Sequence, residues 1–330
     1  MEKTAFVTGG GGFLGIHLVS QLVAAGWDVL VFDRDAREAA QLEKLRVPIV
    51  RGDITDAVSC QEAMPDQVDA VFHLAANTSH WKLANPLQTR VNVEGTRIVA
   101  STALQRNARR FIHTSSIAAY GFQTERITEE TRSSASDSTI NYFRTKRQAE
   151  LEIEHGIQEG LDAVILNPAN IIGSFDRSGW SRFFTLIDQG RLPGVPPGRA
   201  SFCHVGEVAR AHLAAYECGR RGHRYLLGGA DASFLQVIQQ IGQMMSLPTP
   251  SRSTPAFLSK MAGHLYLWRS YLTRTEPDLT PEKAALLSAE LICTSGKAER
   301  ELGYRAVPLS AMLEDCYRWM RAEALLGRSG

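Results

Sequence analysis

An apolar run, Ala5-Phe6-Val7, leads at once into Thr8-Gly9-Gly10-Gly11-Gly12-Phe13-Leu14-Gly15, and a helical pattern then runs from Phe13 to Ala25. A glycine-rich turn alone constrains little, because such turns are common. A strand before it and a helix after it form the context that a dinucleotide fingerprint requires. In that reading Gly9 permits the tight turn, Gly12 lets a pyrophosphate approach the backbone, and Gly15 lets helix pack closely on strand. The first-turn amides, around Phe13 and Leu14, would then face the phosphates. The competing reading is a plain turn.

Asp28-Val29-Leu30-Val31-Phe32-Asp33 reads as the next strand, ending in an acid. Asp33 lies about 20 residues beyond the glycines, where a carboxylate binds the adenosine ribose hydroxyls. This favours NAD, since the carboxylate repels a 2′-phosphate. Arg34 follows directly and could hold that phosphate instead, so NADP stays open.

Strand-like segments (Thr4–Thr8, Val29–Asp33, Pro48–Arg51, Ala70–Leu74, Arg110–Thr114, Ala163–Asn167) alternate with helical ones (Phe13–Ala25, Arg37–Leu45, Ala57–Met64, Asn92–Arg106, Asn141–Glu159). The alternation predicts an α/β fold, a doubly wound parallel sheet of Rossmann type with helices on both faces. Ligands then bind beyond the carboxyl ends of the strands, so the segments after Thr8, Asp33, Leu74, Thr114 and Asn167 should line one crevice. Past about Asn170 the pattern loosens into a Gly/Pro-rich loop at 190–198, a helix at 206–219 and a helical stretch from Thr254 to Leu291. The expected organisation is a dinucleotide-binding domain over 1–170, with return segments near 200–228, and an interleaved, mostly helical substrate lobe over 171–330.

The 330 residues suffice for this arrangement. A net charge of +1 implies no nucleic-acid or anionic-membrane partner. Five scattered cysteines without a C-x-x-C pair argue against a disulfide framework or a metal site and suit a reducing cytosol. No signal peptide is evident and no apolar run is long enough to span a bilayer, so a cytoplasmic location is expected.

The catalytic signal is Tyr142-Phe143-Arg144-Thr145-Lys146. Residues four apart share a helix face, which puts a lysine charge near the phenol. A nearby cation and a ribose hydroxyl would favour the phenolate and bring its pKa from about 10 towards working pH. Ser116, at the crevice end of the strand Arg110–Thr114, could donate to a substrate oxygen and to Tyr142. Thr114 and Ser115 are the alternatives for the catalytic hydroxyl, and both serines could simply satisfy turn backbone.

These motifs occur in order with Gly52-Asp53-Ile54-Thr55-Asp56, His73-Leu74-Ala75-Ala76, Val91-Asn92-Val93-Glu94-Gly95-Thr96 and Asn167-Pro168-Ala169-Asn170-Ile171-Ile172-Gly173. The chain resembles the extended short-chain dehydrogenase/reductase family, within the NAD-dependent epimerase/dehydratase superfamily, over nearly its whole length. The resemblance implies a Ser116-Tyr142-Lys146 triad, Asp53 and Ile54 flanking the adenine, and Ala75 and Ala76 against the cofactor. It implies Asn92 linked to the active-site framework, Pro168 and Asn170 by the nicotinamide, and a homodimer through the helices at 92–106 and 141–159.

Two branches compete. Nucleotide-sugar epimerases and dehydratases retain NAD and reverse the hydride transfer. Dihydroflavonol reductases and 3β-hydroxysteroid dehydrogenases interconvert ketones or aldehydes and alcohols. The segment Ser201–His212 resembles the second branch, with Ala200-Ser201 where sugar-nucleotide enzymes usually carry a diphosphate-gripping arginine. Glu207 replaces the family's usual aspartate, and Arg199 is close and could still serve as that arginine. The tail, Thr280-Pro281-Glu282-Lys283 to Glu301-Leu302-Gly303-Tyr304, also resembles the reductases.

His80-Trp81-Lys82, Phe122, Trp180, Phe183 and Phe184 are substrate-facing candidates that suit an apolar or aromatic carbonyl, unless they are ordinary core. The stretch Phe257–Leu272, with Lys260, Arg269 and Arg274, reads as an amphipathic cap packed on the sheet domain, or as an interfacial helix admitting a lipophilic substrate from a membrane. A non-catalytic redox sensor would lack Tyr142 or Lys146, and an adaptor would not need Asp33, Asp53 or the ordered motifs.

Overall fold

The computed structural model describes residues 3–327 except Ala36, Arg274 and Asp278, and excludes the side chains of Ser259, Lys260, Ala262, Arg269 and Leu272. Strands β1 (Lys3–Thr8), β2 (Trp27–Asp33), β3 (Ile49–Arg51), β4 (Ala70–His73), β5 (Arg110–Thr114) and β6 (Ala163–Pro168) lie in one sheet. Next, β7 (Asn170–Ile172) and β8 (Arg199–His204) leave it for a second sheet, and β9 (Arg224–Leu227) returns as its seventh strand. The order is β3-β2-β1-β4-β5-β6-β9, parallel throughout. The chain reverses its direction of winding between β1 and β4, the place where an open α/β sheet leaves a crevice.

Successive strand residues point to opposite faces. Val7, Phe72 and Ile112 enter one core; Phe6, Val71 and Phe111 enter the other. Helices α1 (Phe13–Ala24), α2 (Ala39–Lys44), α3 (Ala57–Ala63), α4 (Asn85–Thr89), α5 (Thr96–Gln105) and α6 (Asn141–Gln158) connect the first six strands. Both faces are covered, which is why the strands read as near-continuous apolar runs.

In the second sheet β8 pairs with β7 and β11 (Glu290–Leu291) in parallel and with β10 (Ala230–Ser233) antiparallel. The remaining helices are α7 (Ser181–Asp188), α8 (Val205–Cys218), α9 (Phe234–Met245), α10 (Ala256–Thr273), α11 (Pro281–Leu286), α12 (Gly296–Leu302) and α13 (Leu309–Ala322). Helix α8 returns to cover the large sheet beside α1, while α7, α9 and α13 bury a separate core on the small sheet.

Three expectations change. The helix expected at Asn92–Arg106 begins earlier, as α4, and passes through a π-helical segment, Arg90–Gly95, before α5. The helical stretch Thr254–Leu291 is α10, a break, α11 and the short strand β11. Trp180 and Phe184 are not substrate-facing: the small sheet needs its own core, and both are buried in it, with Phe183 packed against them. Phe122, exposed at the surface, meets the buried Phe143 with the rings tilted and their centroids 5.0 Å apart.

Candidate active site

The turn from β1 into α1 shows why glycine stands where it does. Gly9 has φ +72°, and a Cβ there would press on the Ala75 nitrogen at 2.7 Å. A Cβ at Gly15 would collide with the Gly9 and Gly10 carbonyls, so helix and turn could not close. At Gly12 the nearest atom to a Cβ would be the Gly9 oxygen at 3.3 Å, a far looser contact. Gly12 is also the N-cap of α1 and supplies no side chain to its first-turn amides. The helix therefore presents backbone donors to whatever lies above it.

Above it lies a cleft of about 710 Å³. Gly9, Gly12, Phe13, Leu14, Gly15, Asp33, Arg34, Asp53, Ile54, Ala75 and Ala76 all line it. One Asp33 oxygen accepts from the Gly11 amide at 3.0 Å and the other from the Asp35 amide at 3.1 Å, which seats the carboxylate at the strand end. Arg34 is turned to Asp35 at 3.3 Å, in a solvent-exposed pair. Asp53 accepts from the amide and hydroxyl of Thr55, both at 2.9 Å.

At the end of the cleft stands His80, whose ring meets the Tyr142 ring edge-on at 5.3 Å. Burial, reinforced by the Lys283 charge, lowers the His80 pKa to about 4. Its Nδ1 is buried without a partner among the described residues. Tyr142 and Lys146 lie one turn apart on α6. Ser116 accepts from the Ala118 amide at 3.1 Å and hydrogen-bonds the Tyr142 phenol, so turn and site roles coincide in one hydroxyl. The alternatives are committed elsewhere: Thr114 to His212 at 2.8 Å and Ser115 to Glu150 at 2.6 Å.

Burial holds the Tyr142 phenol above its ordinary pKa, and the Ser116 hydrogen bond pulls the other way. Lys146 is not among the groups that shift the phenol, and its Nζ donates to the Thr114 carbonyl at 3.0 Å. Burial lowers the lysine to about 8, against the opposing charge of Glu150.

Glu150 escaped the sequence reading. It is 2% exposed, one turn beyond Lys146. One of its oxygens accepts from Ser115 and Asn167, each at 2.6 Å, and the other meets Arg224 at 3.0 Å and Arg147 at 3.3 Å. Asn167 also donates to the Ser116 carbonyl at 3.0 Å, so this carboxylate ties the ends of β5 and β6 to α6. An acid at spacing 4 from Lys146 and 8 from Tyr142, on a helix face turned inward, was the available signal.

Asn92, buried in the π-helical segment, accepts from the Asn77 amide at 2.7 Å and donates to the Asn77 carbonyl at 2.9 Å and to Thr145 at 3.1 Å. It pins the loop after β4 to α6. It is not among the cleft-lining residues, nor are Ser116, Tyr142, Lys146, Pro168 and Asn170; Tyr142 meets the cleft through the ring of His80, and Asn170 donates to the Ser201 carbonyl at 3.1 Å. Ser178, Arg182, Glu276, Pro277, Thr280 and Lys283 line the cleft from the C-terminal half; of these the sequence singles out only Thr280 and Lys283, as part of the reductase-like tail. Arg199 lies outside it, 3.6 Å from Glu290.

Residues 5–228 match the model of the NAD dependent epimerase/dehydratase family. The chain is 30% identical to sterol demethylase protein B of Methylococcus capsulatus, over 98% of this chain and 100% of that one. It is 29% identical to 4-hydroxy-2-methyl-3-oxo-4-farnesyl-3,4-dihydroquinoline-1-oxide ketoreductase of Stigmatella aurantiaca, over 91% of each. A solved nucleoside-diphosphate-sugar epimerase from Pseudomonas aeruginosa superposes with a TM-score of 0.79 at 22% identity, covering 99% of this chain and 100% of that one, a likeness of fold.

Proposed function

Because this chain belongs to the NAD dependent epimerase/dehydratase family, we propose that it interconverts a lipophilic ketone or aldehyde and its alcohol, with Ser116, Tyr142 and Lys146 as the reacting-end residues. The observation that carries this reading is Tyr142, with Ser116 at its phenol and its ring edge-on at 5.3 Å to His80, a residue that lines the cleft shared with the glycine turn. The open backbone at Gly12, where a Cβ would meet nothing nearer than the Gly9 oxygen at 3.3 Å, the uncapped start of α1 and the Asp33 carboxylate fit a nicotinamide dinucleotide. When bound, the nicotinamide supplies or accepts the hydride.

The residues divide the remaining work. Gly12 and the first turn of α1 hold the pyrophosphate, and Asp33 the adenosine ribose. Ser116 clamps the substrate oxygen. Tyr142 gives that oxygen a proton or takes one from it. Lys146, near 8, keeps positive charge close to the cofactor ribose at working pH. Asp33, and the turn of Arg34 towards Asp35, favour NAD over NADP. Two full-length relatives whose names include a sterol and a farnesylated ketone support a lipophilic substrate. The position of Arg199, beside Glu290 and outside the cleft, favours this branch over a sugar-nucleotide enzyme. We place the enzyme in the cytoplasm as a homodimer paired through α5 and α6, which light scattering tests.

Tyr142→Phe should bind NADH as the parent does, by fluorescence titration, while turnover of a steroid or prenyl ketone falls by roughly 10²–10⁴-fold. Unchanged turnover would remove Tyr142 from the chemistry. Stoichiometric NAD released from the denatured protein would instead indicate an epimerase that recycles its cofactor.

A further inference from the structure

Thirteen large apolar side chains are exposed among the described residues, and seven of them stand on the 18-residue helix α10. Phe257, Met261, Leu265 and Trp268 form a stripe at spacings 4, 4 and 3, each between 61% and 66% exposed. Leu258 and Tyr271 flank it at 45% and 46%. At 3.6 residues per turn these six span an arc of about 140°. The expected burial of this stripe against the sheet domain is therefore overturned.

The opposite face is the buried one. Gly263, Leu267 and Ser270 point inward. A Cβ at Gly263 would meet the backbone of Thr280 and Pro281 at 3.1 Å, so α10 is pressed tightly on the start of α11. Ser270 accepts from the Trp81 indole at 3.0 Å. A helix gripped on one side presents a fixed apolar face on the other, and a contiguous exposed patch of this kind marks an interaction surface.

We propose that α10 is a docking helix for an anionic phospholipid surface, lying in the headgroup region with its Phe257–Trp268 stripe towards the acyl chains. Charge selects this occupant. Residues 251–275 contain Arg252, Lys260, Arg269 and Arg274 and no aspartate or glutamate. With four positive charges here and +1 for the whole chain, the remainder carries −3, so the near-neutral total conceals a local basic segment. The side chains of Lys260 and Arg269, and all of Arg274, lie outside the described residues; their charges belong to the segment in any rotamer. Apolar burial plus several basic residues is the pair of signals that holds a helix on an anionic bilayer. Trp and Tyr, as at Trp268 and Tyr271, suit the headgroup depth. No helix is long and apolar enough to cross the membrane among the described residues, so α10 lies on it.

The surface adjoins the cleft. Beyond α10, Glu276 accepts from Ser79 at 2.8 Å, and Glu276, Pro277, Thr280 and Lys283 form part of the cleft wall. A docked helix would set that wall at the lipid boundary, where a lipophilic ketone resides. Binding is measured without substrate, so its failure is distinguishable from failure of the catalytic reading.

The test is co-sedimentation of the full chain with phosphatidylcholine vesicles, with and without phosphatidylglycerol. Support is pelleting with the anionic vesicles, weakened by salt and reduced about tenfold or more in the double variant Phe257→Ser/Trp268→Ser, whose NADH binding is unchanged. Pelleting that is equal with both vesicle types, or equal for parent and variant, overturns the proposal. So does a parent that is dimeric by light scattering, ignores vesicles and becomes monomeric in the variant, because the face then belongs to a second copy.

Discussion

The floor beneath α6 and the outer face of α10 invert each other. In the floor, charged and polar groups are buried: Glu150 is 2% and Lys146 4% exposed, with Ser115, Asn167 and Arg224 gathered round one carboxylate. On α10, aromatic and aliphatic groups stand in water, Trp268 and Met261 at 66%. In a buried polar network the loss of one member leaves its partners unpaired at a cost, so these residues depend on one another. An exposed stripe carries no such constraint.

The strongest way to break this contrast is Glu150→Ala. It leaves Arg224 with only Glu154 and removes the acceptor of Ser115 and Asn167. Removing one partner of a buried ion pair costs about 3–5 kcal/mol. Urea unfolding should show a loss of unfolding free energy of that size, and a loss under about 1 kcal/mol would mean that the floor does not depend on this carboxylate. Glu150→Gln separates packing from charge. The carboxylate opposes the burial that lowers Lys146 to about 8, so without its charge the lysine should deprotonate at lower pH, and the alkaline limb of the turnover profile should move down.

Acid probes the same floor. Burial lowers His73 to about 3 and His212 to about 4, and holds His113 well below its ordinary value, beneath a Lys146 that also repels their protonated forms at His73 and His113. The unfolded chain protonates its histidines near 6.5, while the folded chain keeps these three neutral. Between pH 6.5 and about 4 the unfolded state binds more protons, so stability falls with pH by up to about 1.4 kcal/mol per unit for each histidine. His212→Asn should shallow that slope by one histidine's share in urea titrations at successive pH values. An unchanged slope would mean that His212 takes up its proton while folded.

Much of the floor was legible in sequence, because each part announces itself locally. The glycine turn sits between strand and helix patterns, and Tyr142 and Lys146 sit at spacing 4. Ser116 could be separated from Thr114 and Ser115 only by structure, since their partners His212 and Glu150 are 98 and 35 residues distant. The π-helical segment at Asn92 depends on Asn77 and Thr145, which no local pattern joins. The face of α10 was misread for a physical reason. An apolar stripe at helical spacing says that one face avoids water, not which partner covers it. Trp180 and Phe184 failed in the opposite sense, since aromatic residues in a loop-rich stretch became the core of the small sheet.

An intermediate effect is expected at the Asp33 end of the cleft. Asp33→Ala removes a charged acceptor, worth about 1.5–3 kcal/mol when bonded to a ligand hydroxyl. NADH binding should weaken roughly tenfold to a hundredfold, and NADPH binding less, because the carboxylate no longer repels a 2′-phosphate. Equal losses in fluorescence titrations would move Asp33 out of the ribose site.

The smallest effect is the one on which the contrast turns. Phe257→Ser and Trp268→Ser replace side chains that are 61% and 66% exposed on the face of α10 turned away from α11. Surface substitutions away from caps, cores and networks usually fall within about 0.5 kcal/mol. Each variant should therefore unfold in urea within that margin of the parent, or slightly later, since less apolar surface meets water in the native state. A loss of 2 kcal/mol or more, on the scale of about 1.5–3 kcal/mol for a fully buried large side chain, would show that the stripe is already covered within the protein. Stability held constant while vesicle binding collapses would leave the exposed face with a role in docking and none in folding.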